Sequence, residues 1–418
     1  AMRHIISKLL PQGMKNLFHL VEAVAASWYF ARPSHGLTVI GVTGTNGKTT
    51  TANLIARILE EDGKKVALAS TINFRIAGEE RINTSKFTTL SGRRLQGFLR
   101  SAANAGCTHA VLEVSSHALD QRRVSGIRYE VAVITNVTRE HLDYHKTMEE
   151  YRRAKRRLFD GVKKAIVNLD MWEPEFFLEG AREKRTYSVI DPKADLYAEN
   201  LEVSLSGSTF AVSGVPFRVA IPGTFNVENA LAAIAATSAI GVPLETAALA
   251  IEKVKLVPGR MDSVENGLGA HIFIDYAVTP DSLDKLYSLA SSMRAEGAKI
   301  VSVFGACGER DRGKRPIMGE IVSSNADIVI LTNEDPYHED PERILDEVEQ
   351  GIKGKEKGVD YFRILDRREA IRKALSILAP GDILLVTGKG AEETMAVGDE
   401  RLPWNDRRVI EEELEKMV

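Results

Sequence analysis

Residues 41–50 read Gly-Val-Thr-Gly-Thr-Asn-Gly-Lys-Thr-Thr, and this stretch constrains the fold more than any other in the chain. Ahead of it runs Leu37-Thr38-Val39-Ile40, a short apolar, β-prone segment. Behind it Leu54, Ile55, Ile58 and Leu59 recur at helical spacing and stop near Gly63. A strand feeding a glycine loop that opens a helix is the setting of a phosphate site. Gly44 and Gly47 let the backbone approach phosphates, and the N–H groups at the helix start face negative charge. Lys48 reaches the terminal phosphates and the Thr49 hydroxyl holds Mg²⁺. Thr45, Asn46 and Thr50 fall within the same expected ATP contact. Val42 stands where the strict eight-residue pattern has its first glycine, so the loop is a variant form.

The rest of the pattern supports an α/β fold. From residue 37 to about 257 strands and helices alternate, with strands expected at 37–43, 65–70, 108–114, 130–136 and 164–169 and a helix over 147–159. Residues 197–221 alternate apolar and polar, as in a small antiparallel patch, and an alanine-rich helix follows over 230–239. Leu256-Val257-Pro258-Gly259 marks a boundary. A second series has strands expected at 271–276, 299–305, 327–331 and 382–387, with helices over 280–294, 341–352 and 367–378. The division read from this is a short helical extension over 2–36, a central P-loop ATPase domain with a helix-flanked parallel sheet over 37–258, and a smaller Rossmann-like α/β domain over 259–418. The acidic run Glu411–Glu415 reads as a solvated helix face.

Composition bounds the partners. A net charge of −3 gives no reason to expect nucleic acid. No stretch approaches the ~20 apolar residues needed to span a bilayer, and no signal peptide is evident. Cys107 and Cys307 are the only cysteines, which fits a reducing cytoplasm. A monomer acting on small molecules is expected.

Glu113-Val114-Ser115-Ser116-His117 leaves the end of an expected strand, where open α/β sheets place their ligand crevice. A carboxylate there completes a Mg²⁺ shell or simply sits in solvent, and the residue alone does not choose. Asn136–His145 brings His141 to the same edge, as a ligand or as a structural hydrogen-bonder. The basic run Tyr151–Phe159 would by composition be a solvated helix face.

Taken in order, Gly-Thr-Asn-Gly-Lys-Thr, Glu-Val-Ser-Ser-His, Glu-His-Leu-Asp-Tyr-His and Tyr-x-x-Ala-Lys-x-x-Leu-Phe resemble the Mur ligases, and most closely their muramyl-tripeptide synthetases, over about residues 37–410. The resemblance implies an ATP-dependent amide-forming ligase working through an acyl phosphate, with two Mg²⁺ ions. It places a carbamylated lysine at Lys155, which with His141 binds the second ion, while Thr49 and Glu113 bind the first. Asn226 and Asn229 match adenine contacts, although helix capping would also explain them. Arg260 and Asp275 join the nucleotide set. Thr88, Thr89, Ser115, Gln121 and Arg123 match contacts to a muramyl acceptor. Arg310, Glu334, Asp335, Gly388 and Glu392 match the pocket for the incoming amino acid.

The chain also departs from that pattern. About forty residues precede the loop, where tripeptide synthetases carry a domain of about a hundred that grips UDP. The UDP moiety is therefore expected to be held otherwise, or the acceptor not to be UDP-linked. Enzymes selecting meso-diaminopimelate show Asp-Asn-Pro-Arg, whereas this chain has Glu334-Asp335-Pro336-Tyr337 and lacks that arginine. Two acidic groups without it favour a cationic side chain, lysine or ornithine. Val278 and Ala391 stand where the family has histidines. Two other readings stay open: a sister ligase with a folyl or poly-amino-acid acceptor, and a nucleotide-dependent switch that makes no amide.

Overall fold

The computed structural model describes residues 11–83, 85, 87–204 and 206–417, so the part of the expected N-terminal extension over 2–10 lies outside it. Helix α1 (Gln12–Tyr29) comes first. The nine strands of the larger sheet follow as β1 (Thr38–Thr43), β2 (Val66–Ala69), β3 (Asn73–Ile76), β4 (Glu79–Ile82), β5 (His109–Glu113), β6 (Val131–Ile134), β7 (Lys164–Asn168), β8 (Glu183–Ser188) and β9 (Leu196–Tyr197). Their spatial order is β4-β3-β2-β5-β1-β6-β7-β8-β9, antiparallel only where β3 meets β2 and β4. The order reverses at β1, which has β5 on one side and β6 on the other.

Strands buried on both faces read as unbroken apolar runs, and β1 is such a strand. Ile40 and Val42 point to one face, under helix α2 (Lys48–Glu61). Val39 points to the other, among Leu95 and Leu99 of α3 (Gly92–Asn104) and Leu158 and Phe159 beyond α4 (Met148–Arg156). Strands β10 (Glu199–Ser204), β11 (Gly207–Val212) and β12 (Val215–Val219) form the expected antiparallel patch. Helix α5 (Thr224–Ser238) then buries its alanines against α2, small side chains allowing a close approach.

The second sheet is built from β13 (Asp262–Val264), β14 (His271–Asp275), β15 (Ile300–Phe304), β16 (Ile328–Leu331), β17 (Tyr361–Arg363) and β18 (Ile383–Thr387), ordered β13-β14-β18-β15-β16-β17. All pairings are parallel except β13 with β14. Helix α6 (Pro280–Met293) packs its Leu283 and Leu286 in the same apolar cluster as Leu54 and Ile55 of α2, so one core runs through both sheets.

Two expectations are corrected. Glu413 is not on a solvated face: it is 2% exposed and ion-paired with Arg368, Arg372 and Lys416. The basic run on α4 is solvated only in part, since Arg153 is exposed but Arg152 and Lys155 are buried.

Candidate active site

The carboxyl ends of the strands from both sheets face one cavity of about 270 Å³. From the first sheet come the loop after β1, Glu113 at the end of β5, and Asn136 and His141 after β6. From the second come Asp275 at the end of β14, Arg310 after β15, and Glu334 after β16.

The loop is held by its neighbour. Thr45 N donates to Asn136 O (2.9 Å), Asn46 N to Asn136 Oδ1 (2.9 Å), and Thr135 Oγ1 to Asn46 O (2.6 Å). Two glycines are obligatory here. Gly47 has φ +83°, and a Cβ on it would sit 2.1 Å from Asn229 Oδ1. Gly44 has φ +150°, and its Cβ would strike Thr135 Oγ1 at 1.9 Å. Thr50 is buried beneath. Lys48 donates to Thr45 O (2.8 Å), and burial lowers its pKa against the pull of Glu113.

The Thr49 hydroxyl lies 3.1 and 3.0 Å from the two oxygens of Glu113, which also accept from Thr71 N (2.8 Å) and Thr71 Oγ1 (2.9 Å). Arg260, over the Tyr276 ring, reaches Thr49 Oγ1 at 3.4 Å. Among the described residues no group of three or more His, Cys, Asp or Glu could hold an ion unaided. Hard oxygens from Thr49 and Glu113 at the cavity wall nonetheless suit Mg²⁺, which takes few protein ligands and completes its shell with water and phosphate.

Lys155 lies behind the loop, 1% exposed, donating to Gly44 O at 2.5 Å and standing 4.2 Å from the Tyr151 ring centre. Burial first, then Lys48, holds its pKa well below the ordinary lysine value. The Tyr151 and Thr45 hydroxyls bond at 3.0 Å. His141 faces His117 edge-on at 4.6 Å, and His145 bonds Ser116 at 3.0 Å. Burial, the largest cause, takes His117 down to about 3 and His145 to about 4, so both rings are neutral at pH 7.

Of the residues matched to an acceptor, Thr88 lines the cavity. Thr89, Ser115 and Arg123 form a network beside it: Ser115 N donates to Thr89 Oγ1 (2.9 Å), Thr89 Oγ1 to Glu113 O (3.1 Å), and Arg123 Nη1 to Thr89 O (2.6 Å). Gln121 ends the turn Ser116–Asp120, its side chain against the Tyr144 hydroxyl. Asn226 and Asn229 are buried in α5. Asn226 donates to Pro222 O (2.7 Å) and Asn229 to Asn226 Oδ1 (3.2 Å), yet both reach the cavity.

On the opposite wall Asp275 accepts from Met261 N (2.7 Å), and burial raises its pKa to about 6. Lys389 offsets two of the expected acids: it donates to Asp335 at 2.8 Å and ion-pairs with Glu392. Glu334 differs. Among the described residues its Oε2 is buried without a hydrogen-bond partner, and burial with Asp335 nearby lifts its pKa to about 7. Gly388 (φ +106°) makes room for it, since a Cβ there would lie 2.5 Å from Glu334 Oε2. Arg310 stands 5.7 Å from the Tyr337 ring.

Sequence reasoning missed the contacts that join the two walls. Lys314 donates to Glu140 Oε1 (3.0 Å) and to the Val278 carbonyl (2.9 Å), so position 278 is read through its backbone. Asn46 Nδ2 donates to Asp281 (2.8 Å) and reaches Thr279 (3.4 Å). Thr71 and Asn136 were also missed, and no signal in the sequence singled them out.

The loop after β1 faces the strand ends of the second sheet across this cavity, and the matches to known proteins make the chain an ATP-dependent ligase forming amide bonds. The chain belongs to the Mur ligase family: residues 42–237 match the Mur ligase middle domain and residues 259–390 the Mur ligase, glutamate ligase domain. It is 40% identical over 408 residues to a UDP-N-acetylmuramyl-tripeptide synthetase of Roseiflexus sp. (strain RS-1), covering 92% of this chain and 80% of that one. It is 38% identical over 406 residues to the UDP-N-acetylmuramoyl-L-alanyl-D-glutamate–2,6-diaminopimelate ligase of Syntrophomonas wolfei, covering 95% and 82%. A solved 2,6-diaminopimelate ligase of the same description superposes with a TM-score of 0.65 at 34% identity, over 95% of this chain and 83% of that one.

Proposed function

We propose that the chain uses ATP to activate the carboxylate of a UDP-muramyl dipeptide and joins it to an incoming amino acid, in the synthesis of cell-wall peptide. The observation that carries this reading is the single cavity shared by Thr49 and Glu113 on one wall and Arg310 and Glu334 on the other. The names of the relatives support the acceptor.

The chemistry follows from what each wall offers. The acceptor carboxylate attacks the γ-phosphorus, ADP leaves, and an acyl phosphate results. The amine then attacks the acyl carbon and phosphate departs, which a free carboxylate, a poor electrophile, would not permit. Lys48 and the loop N–H groups counter charge growing on the phosphoryl oxygens. Thr49 and Glu113 would hold Mg²⁺, which would supply positive charge against the phosphates. Burial lowers the pKa of Lys155 and so favours its uptake of CO₂ as a carbamate, which with His141, whose charge Lys155 also disfavours, would hold a second ion. Arg310 takes the amino acid's carboxylate. Closure about Val257–Arg260, between 37–258 and 259–418, keeps water from the acyl phosphate.

The added amino acid is proposed to be lysine or ornithine. Tyr337 stands where diaminopimelate enzymes have arginine, and the unpartnered Glu334 oxygen suits an ammonium group better than a second carboxylate. The test offers the chain ATP, a UDP-muramyl dipeptide and each amino acid in turn, and weighs the products. An amide with lysine or ornithine is expected. Phosphate release without any amide would refute the ligase reading, and faster turnover with diaminopimelate would refute the side-chain assignment alone.

A further inference from the structure

Helix α1 is built inside out. Its inner side is made of Ala23, Ala26 and Ser27, which lie against Gly92 and Gly126. A Cβ on Gly92 would meet the Ala23 Cβ at 2.7 Å, so this inner face is packed to contact. The large apolar side chains point the other way: Met14, Leu17, Phe18, Val21, Val24 and Trp28 are 38–67% exposed. Their spacing of three, four and seven puts them on one stripe. The core does not use this stripe, and contiguous exposed apolar surface on a soluble chain marks a contact site.

Exposed arginines stand at the end of the helix and beside its seat, on a chain whose net charge is −3. Arg32 covers the Trp28 ring at 3.5 Å. Arg93 and Arg94, next to Gly92, are exposed, as are Arg122 and Arg128 on either side of Gly126. Glu22 is the only acid on α1. Pairing with a second copy through this face would bring these arginines toward their own copies, because a twofold contact brings a surface onto itself.

We propose that α1 lies along an anionic lipid surface. Its apolar stripe sits at the boundary between headgroups and acyl chains, with the arginines on lipid phosphates. The helix does not cross the bilayer: among the described residues no helix is long and apolar enough to do so. It stays fixed to the catalytic body through Gln12 Nε2, which donates to the Tyr144 hydroxyl (3.0 Å), and Asn16 Nδ2, which donates to Asp120 (3.3 Å).

The test is co-sedimentation of the full chain with vesicles of equal parts phosphatidylglycerol and phosphatidylcholine, against pure phosphatidylcholine vesicles. The chain is expected to pellet with the anionic vesicles and to be released by salt. Phe18→Glu with Val21→Glu should lower partitioning at least about tenfold, and Arg93→Ala with Arg94→Ala about fivefold per arginine. Both stripe residues are more than half exposed, so the melting temperature of that double variant should not move. The proposal is overturned if the native chain ignores anionic vesicles, or if the Phe18→Glu/Val21→Glu variant still binds them. It is also overturned if the native chain binds no lipid and forms a concentration-dependent dimer that this variant loses, which would assign the stripe to a second copy.

Discussion

Replacing Lys314 by methionine tests the join between the two walls. Lys314 and Glu140 Oε1 meet at 3.0 Å with side chains 6% and 8% exposed, and among the described residues Glu140 Oε2 has no hydrogen-bond partner. Removing one member of a buried pair costs about 3–5 kcal/mol when the other must stay charged and dry. Two escapes reduce that cost: the cleft opens and wets Glu140, or Glu140 takes a proton. Burial already holds Glu140 above its ordinary value of 4.5 while Lys314 pulls it down, so the variant's carboxyl rises further. A carboxyl raised in the folded state costs nothing below its unfolded pKa. Above it the cost grows by about 1.4 kcal/mol per pH unit until the folded pKa is passed. Urea unfolding of Lys314→Met, Glu140→Gln and the double variant at pH 5 and pH 8 reads this directly. Lys314→Met should be less stable than the double variant by about 2 kcal/mol or more at pH 8, and by less than about 1 kcal/mol at pH 5. Equal deficits at both pH values, or a double variant as unstable as Lys314→Met, would refute the reasoning.

Three further outcomes are expected. Lys48→Ala should lower kcat, measured by ADP release, by a factor on the order of 10²–10³ with the fold intact by circular dichroism; Lys155→Ala should also fail to turn over, and normal rates in it would end the carbamate reading. Gly47→Ala forces a left-handed alanine and a clash with Asn229 Oδ1, so both ATP affinity by calorimetry and melting temperature should fall, and Asn229→Ala should restore part of the melting temperature. Glu334, raised to about 7, carries its charge only above that pH. The KM for a cationic amino acid should therefore fall as pH rises through about 7, and Glu334→Gln should flatten the profile.

The inner parallel strands were legible because each is short, apolar and bounded by turns, and the loop after β1 because its glycines, Lys48 and Thr49 are contiguous. The parallel strands β8, β9 and β17 were not, and β8 reads Glu-Lys-Arg-Thr-Tyr-Ser. What the sequence hid is of another kind. The hairpin of β3 and β4 carries Arg75, Glu79, Glu80 and Arg81, too polar to read as strand, and is fixed by pairing with β2 rather than by propensity. Lys155 and Glu413 look solvated in a run of charges, and only the fold turns them inward. The Glu140–Lys314 pair joins residues 174 apart, and no local pattern marks it. Glu334 and Asp335 look alike in sequence. Only the position of Lys389 separates a neutralised carboxylate from one that is still available.

Asn46 gives the loop a second allegiance. Its backbone N–H is tied to Asn136 on one sheet, and its side chain reaches Asp281 and Thr279 at the start of α6 beside the other. The expected phosphate loop is thus also a clasp between the two bodies. Parting the two walls at this point breaks the Asn46–Asp281 bond, so a weaker bond there makes the cavity easier to open and less sheltered from water.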